Sequence, residues 1–312
     1  MRAPAGILAL PIVLGLGGCF PSYEFADEPQ EVEPLPYMRR SYAEGQTFTF
    51  KLNTDINPQE TSAHLSYDFD LDMYEVSVRR YKDWLESGAP LPCDDCTLDA
   101  GGPYEDAMRW DPSWSTVAKQ AHYSLPDCFT PTEYGPWTTY DAPDSDDFPM
   151  VCVSWVQAAA FCAWDQKRLP TEVERLYEVT AGGNPVHTYP WGGNQPDCSR
   201  ATIAGCTFPT NVGTALSGAS NAGIQDLTGS VFEWVWDATW DSAADYPGGA
   251  KDYSGPKLTT GATSLDRAHF RNGGAYFDPH DEPRLRNDVA ERQYAAREYY
   301  ADAGFRCAKS VR

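Results

Sequence analysis

The 312-residue chain carries 45 Asp and Glu against 24 Lys and Arg, a formal net charge of −21. That excludes nucleic acid as a partner, because phosphate recognition needs clustered cations. Hydrophobic content of 42% with 13% aromatics excludes global disorder, while 25 Gly and 25 Pro exclude a long-helix bundle and favour a loop-rich fold.

In chain order, Arg2 precedes an apolar stretch from Ile7 to Leu16. It is too short to span a bilayer and reads as the core of an export signal. It ends in Leu16-Gly17-Gly18-Cys19, which resembles the bacterial lipoprotein box. Residues 1–18 are then a signal peptide, and Cys19 takes the lipid through its thiol. The mature chain is expected in the bacterial cell envelope, held to a membrane by that lipid and facing the periplasm or the exterior. Residues 19–46 hold Glu24, Asp27, Glu28, Glu31 and Glu33 among Pro21, Pro29, Pro34 and Pro36, and read as an acidic tether. The domain is expected over 47–312.

Phe48, Phe50 and Leu52 alternate with polar residues and predict a strand. Tyr67, Phe69, Leu71 and Met73 alternate with Asp68, Asp70 and Asp72 and predict another. The Asp-x-Asp-x-Asp run is not an EF-hand loop, since Met73 and Arg79 stand where Gly and Glu are required. Val78, Tyr81 and Leu85 predict a helix stopped by Gly88 and Pro90. Residues 88–148 lack periodicity and read as disulfide-stapled surface. Ser154 is placed to cap a helix bearing Val156, Ala159, Ala160 and Ala163. Thr171 and Glu174 form a capping box for the next helix, with Leu176, Tyr177 and Val179 on its following turns. From residue 184 on the chain is rich in Gly, Pro, Asn and Trp.

Eight cysteines remain beyond Cys19, an even number, as disulfides in an exported protein require. Cys93-Asp94-Asp95-Cys96 reads as a short structural disulfide, because acidic neighbours do not activate thiols and no second Cys pair completes a zinc site. The pairing of Cys128, Cys152, Cys198 and Cys206 stays open.

Several segments then resemble, in order, the sulfatase-modifying-factor family, that is, formylglycine-generating enzyme and its relatives. They are Asp72-Met73-Tyr74-Glu75-Val76-Ser77, Pro149–Trp155 running on to Phe161–Trp164, and Lys167-Arg168-Leu169-Pro170-Thr171-Glu172-Val173-Glu174. Tyr189-Pro190-Trp191-Gly192, Gly229–Trp234, Arg271–Tyr276 and Gly304-Phe305-Arg306-Cys307-Ala308 follow. The resemblance implies one loop-rich α+β domain of the C-type-lectin-like kind. It also implies a disulfide between Cys162 and Cys307.

The family's formylglycine chemistry uses copper on two cysteines between the Gly-Gly motif and the terminal Gly-Phe-Arg-Cys, a soft thiolate pair suited to Cu(I). Counting between these anchors puts those positions at Pro283 and Asp288. The resemblance therefore argues against copper and against formylglycine generation. Asp278, His280 and Asp288 are the weak catalytic candidates of this interval; the plainer reading is a solvated charged loop. Relatives hold calcium with a Gly-Asn-x-Trp-Glu-Trp run, matched here by Gly229-Ser230-Val231-Phe232-Glu233-Trp234. Calcium at Ser230 and Glu233 is one expectation; Glu233 pairing with an arginine such as Arg306 is the other. The reading that results is a lipid-anchored binding or scaffold domain for an unidentified protein or small molecule. An oxidoreductase with a non-cysteine metal site and a surface recognition module are the alternatives.

Overall fold

A computed structural model describes residues 37–52, 59–119, 139–184, 187–238, 248–255, 268–279, 290–295 and 299–311. The first strand, β1 (Met38–Ser41), falls within the residues assigned above to the tether. It docks because its side chains have partners: Met38 is fully buried, Arg40 Nε lies 2.6 Å from Asp70 Oδ1, and Ser41 Oγ donates to Glu178 at 2.5 Å.

Strand β4 (Phe69–Asp72) is the centre of a three-stranded sheet, between β1 and the C-terminal β9 (Ala308–Ser310). All four of its residues are buried, so the alternation seen in the sequence is not an in–out pattern. The aspartates are neutralised instead of solvated. Asp72 receives Lys167 Nζ at 2.7 Å and Arg80 Nη1 at 3.0 Å. Strands β2 (Gln46–Leu52) and β3 (Gln59–Leu65) form an antiparallel hairpin that buries Phe48, Phe50, Ala63 and Leu65.

Helix α1 (Val78–Glu86) buries Val78, Tyr81 and Trp84, with Leu85 only partly covered. A short helix α2 (Trp114–Ala118) lies in the stretch expected to be surface. That expectation holds only for part of it: Tyr104, Met108, Trp110 and Trp114 are core residues. Trp114 packs edge-on against Trp155 at 5.1 Å, and Trp110 against Trp114 at 5.4 Å. No periodicity announces them because turns deliver them; Asp99 Oδ2 accepts from Tyr104 N, and Leu98 N bonds Met108 O.

Helices α3 (Trp155–Trp164) and α4 (Glu172–Val179) both begin in full capping boxes, at Ser154/Gln157 and Thr171/Glu174. Residues Trp155 to Cys162 of α3 are all buried, as expected of a helix apolar on every side. A four-stranded sheet runs in the order β7 (Ala290–Ala295), β6 (Ala268–Asn272), β5 (Phe232–Ala238), β8 (Ala303–Phe305), with β5 and β8 parallel. Trp155 Nε1 donates to Val235 O and Trp234 Nε1 to Val153 O, fastening α3 to β5.

Disulfides join Cys93 to Cys96, Cys198 to Cys206 and Cys162 to Cys307. The last matches the pairing the resemblance implies; it joins α3 to the turn between β8 and β9 across 145 residues. No helix among the described residues is long and apolar enough to cross a membrane.

Candidate functional site

At the end of β6 the chain turns through Gly273 and Gly274, at φ +109° and +72°. A Cβ at Gly273 would lie 2.5 Å from Arg175 Nη2, so only glycine lets the backbone pass there. Gly273 O accepts from Gly229 N at 2.7 Å, which brings the Gly229–Trp234 run against the turn. Asp278 closes it: Oδ2 accepts from Ala275 N at 2.8 Å, its own N–H donates to Ala275 O, and its O accepts from Ala204 N. Asp278 is fully buried and carries this turn. His280, Pro283 and Asp288 lie outside the described residues.

The turn presents aromatic rings. Tyr276 N donates to Ser230 O, and the Tyr276 ring stacks on Phe208 at 3.7 Å and 2°. Phe277 meets Tyr276 edge-on at 5.2 Å and is 36% exposed. Burial, with Asp302 nearby, pushes the Tyr276 phenol up to about 12, so it stays a neutral donor. Beside it Arg271 pairs with Asp302 and lies over the Phe232 and Tyr300 rings at 4.3 and 4.9 Å.

Another group of ions is packed in the core, against the same Gly229–Trp234 run. Glu233 is gripped by Arg306, Nε to Oε2 at 2.7 Å and Nη2 to Oε1 at 2.8 Å. Arg175 Nη2 stands 3.7 Å from Glu233 Oε1. Glu75 accepts from Ser230 Oγ at 3.0 Å and from Val231 N at 3.3 Å. Burial, then Asp226 and Glu233, hold the Glu75 carboxyl well above its ordinary range. Asp226 accepts from Gly213 N, and burial raises it to about 6. Burial lowers Arg175 despite Glu233.

Residues 28–311 match the sulfatase-modifying factor enzyme 1-like domain. The chain belongs to this family. It is 31% identical over 225 residues to the formylglycine-generating enzyme of Thermomonospora curvata, covering 67% of this chain and 68% of that one. It is 31% identical over 145 residues to a hercynine oxygenase of Mycolicibacterium smegmatis, covering 44% of this chain and 33% of that protein. It therefore spans about a third of that relative's length. It is 30% identical over 177 residues to the inactive C-alpha-formylglycine-generating enzyme 2 of Bos taurus, covering 53% of this chain and 51% of that one. Among solved structures, PvdO from Pseudomonas aeruginosa shares the fold, with a TM-score of 0.55 at 17% identity over 92% of this chain and all of that one.

The residues present do not fit the copper site of a formylglycine-generating member. A Cu(I) dithiolate needs two free cysteines. Cys93, Cys96, Cys152, Cys162, Cys198, Cys206 and Cys307 are all disulfide-bonded. Cys19 and Cys128 are the cysteines outside the described residues, and none occurs between Cys206 and Cys307. As for calcium, Glu233 takes the arginine partner: both its oxygens are bonded to Arg306, and Ser230 Oγ is turned to Glu75. Among the described residues no group of three His, Cys, Asp or Glu is arranged to hold a metal ion.

Sequence reasoning did not single out Arg175, Asp226 or Phe208. Arg175 and Asp226 are buried ions whose partners lie far along the chain, and Phe208 sits in a loop without periodicity. Glu75 was visible only as a member of a family motif, whereas Arg306 was already expected as a partner for Glu233.

Proposed function

We propose that this chain is a lipid-anchored envelope protein whose sulfatase-modifying-factor domain binds a ligand and does not generate formylglycine. The state of the cysteines carries this reading. Every described cysteine is spent on a disulfide, and the Cys206–Cys307 interval supplies none. Two thiolates for a soft copper ion are therefore missing where the family keeps them. The relative named as inactive supports a family fold that persists without that activity.

The face suited to a ligand is the one bearing Phe208, Tyr276 and Phe277. Stacked rings offer apolar area at small entropic cost, and Tyr276 adds a neutral hydroxyl. Arg271 is already neutralised by Asp302, so a small anion gains little there. An uncharged or weakly cationic ligand with apolar area fits the acidic chain best.

Competition against a colorimetric Cu(I) chelator tests the copper part. The expected result is no stoichiometric high-affinity copper. One tightly held copper per chain would overturn the reading. The anchor is tested by Cys19→Ser in a bacterial host fed a labelled fatty acid: the label and the membrane association should both vanish. Retained membrane association would remove the lipid from the account.

A further inference from the structure

Residues 207–214 form a surface flap between two fastened points. Cys206 is tied to Cys198 before it, and Ser217 N bonds Ser199 O after it. Among the described residues, three attachments hold the flap itself. Phe208 stacks on Tyr276, Val212 N donates to Asp147 O at 2.9 Å, and Gly213 N donates to Asp226 Oδ2 at 2.5 Å. Gly213, at φ +76°, lies so close to the Tyr74 ring that a side chain would collide with it. Of these attachments, the one through the Asp226 carboxyl titrates below neutrality, while the Tyr276 phenol stays neutral up to about 12.

Asp226 is 7% exposed. Glu75 and Glu233 face it with like charge and Arg306 with opposite charge; Arg175 stands behind Glu233. Glu75 is held well above its ordinary range and stays neutral, while Asp226 stands at the more exposed edge of the cluster, where opening the flap would hydrate its carboxyl.

We propose that Asp226 is a pH-responsive latch: the flap 207–214 lies closed with Phe208 on Tyr276 while Asp226 is neutral and loosens when Asp226 ionises, lifting Phe208 away and uncovering the Tyr276 and Phe277 part of the aromatic face. This rests on reading that face as the ligand site, but the motion itself requires no ligand.

A neutral carboxyl still accepts the Gly213 N–H through its carbonyl oxygen, so protonation preserves the closed contact. An ionised carboxylate in the closed flap has lost its hydration, and opening restores it. In the closed flap burial lifts Asp226 from its usual value to about 6. In an open flap it is hydrated and titrates near the ordinary aspartate value of about 4. The closed state therefore binds the proton more tightly. Opening grows as pH rises through the interval between these values and levels off on either side. A difference of about two pH units permits up to a ~100-fold change in the opening equilibrium.

Hydrogen–deuterium exchange of the full chain at about pH 4 and about pH 7, corrected for intrinsic exchange, measures this opening as protection factors. Amides of 207–214 should lose about tenfold or more protection at the higher pH, while β5 and α3 do not change. Asp226→Asn keeps an acceptor oxygen and cannot ionise; its flap should be equally protected at both values. Asp226→Ser serves as a second neutral variant should the first not fold. Equal flap protection in the wild type at both pH values would overturn the latch. So would a pH dependence that persists in the neutral variants. Failure to find any ligand would sink the binding reading and leave the exchange result standing.

Discussion

Arg306 holds Glu233 with two parallel bonds, 2.7 Å from Nε to Oε2 and 2.8 Å from Nη2 to Oε1, and both side chains are fully buried. Arg306 also donates to the carbonyls of Asp72, Met73 and Gln225, so one side chain ties the β4–α1 turn, β5 and the segment before β5 together. It precedes Cys307, whose disulfide fixes it against α3.

Breaking such a pair leaves a buried charge without a partner. Glu233→Ala or Arg306→Ala should each cost about 3–5 kcal/mol in urea unfolding. The double variant Glu233→Leu with Arg306→Met should recover a large part of the loss, because two apolar side chains leave no stranded ion. Calcium added to wild type should leave the midpoint unmoved, since Arg306 already occupies the carboxylate. A calcium-dependent rise would restore the metal reading of Ser230 and Glu233.

The Cys162–Cys307 disulfide closes 145 residues, so its loss releases a long loop in the unfolded chain. Cys162→Ser with Cys307→Ser should lower stability by about 2–5 kcal/mol. Thermal unfolding with and without reductant checks it: the reductant effect should be much smaller in the double variant than in the wild type.

Trp114→Ala separates core from surface in the stretch 88–118. Trp114 is 1% exposed and packs against Trp110, Trp155 and Trp236. Its truncation should cost about 3–5 kcal/mol. Truncating exposed Leu216 should change stability by under about 0.5 kcal/mol. Similar small losses for both would return the stretch to surface.

Asp237 supplies a pH test away from the flap. It is fully buried, with Oδ2 accepting from Glu172 N. Burial first, then the neighbouring Glu172, push its carboxyl well above the usual range. A raised folded-state value means stability is fully present below the unfolded pKa of about 4 and is lost as pH rises through the folded value. Asp237→Asn removes this loss while keeping an acceptor for Glu172 N. Its stability should match wild type near pH 3 and exceed it increasingly toward neutrality. Chemical unfolding at several pH values reads this; a variant that is least favourable at neutral pH would reverse the assigned sign.

The local signals in the sequence were sound where structure is local. Ser154 and Thr171 cap their helices as expected, because a capping box needs only residues a turn apart. The resemblance supplied the Cys162–Cys307 pairing, which spacing alone leaves open. Long-range pairing was not legible. Lys167 meets Asp72 from 95 positions away, and Ser41 meets Glu178 from 137. Nothing in the local pattern marks β1 as a strand, because Arg40 and Ser41 are polar residues held by distant partners. Trp110 and Trp114 were hidden for a related reason, arriving in the core on turns. The candidate site divides the same way: its glycines and Glu233 stand in motifs, while Phe208 and Asp226 join it through the fold.

The lack of a free cysteine among the described residues, and of any cysteine between Cys206 and Cys307, is the centre of the account. Purified, disulfide-intact protein supplied with copper, a non-thiol reductant that spares disulfides, and a cysteine-containing sulfatase-type peptide tests it by mass spectrometry of the peptide. The peptide cysteine should stay unconverted, with the product no higher than in a copper-only control. Catalytic conversion of that cysteine to formylglycine would contradict the account.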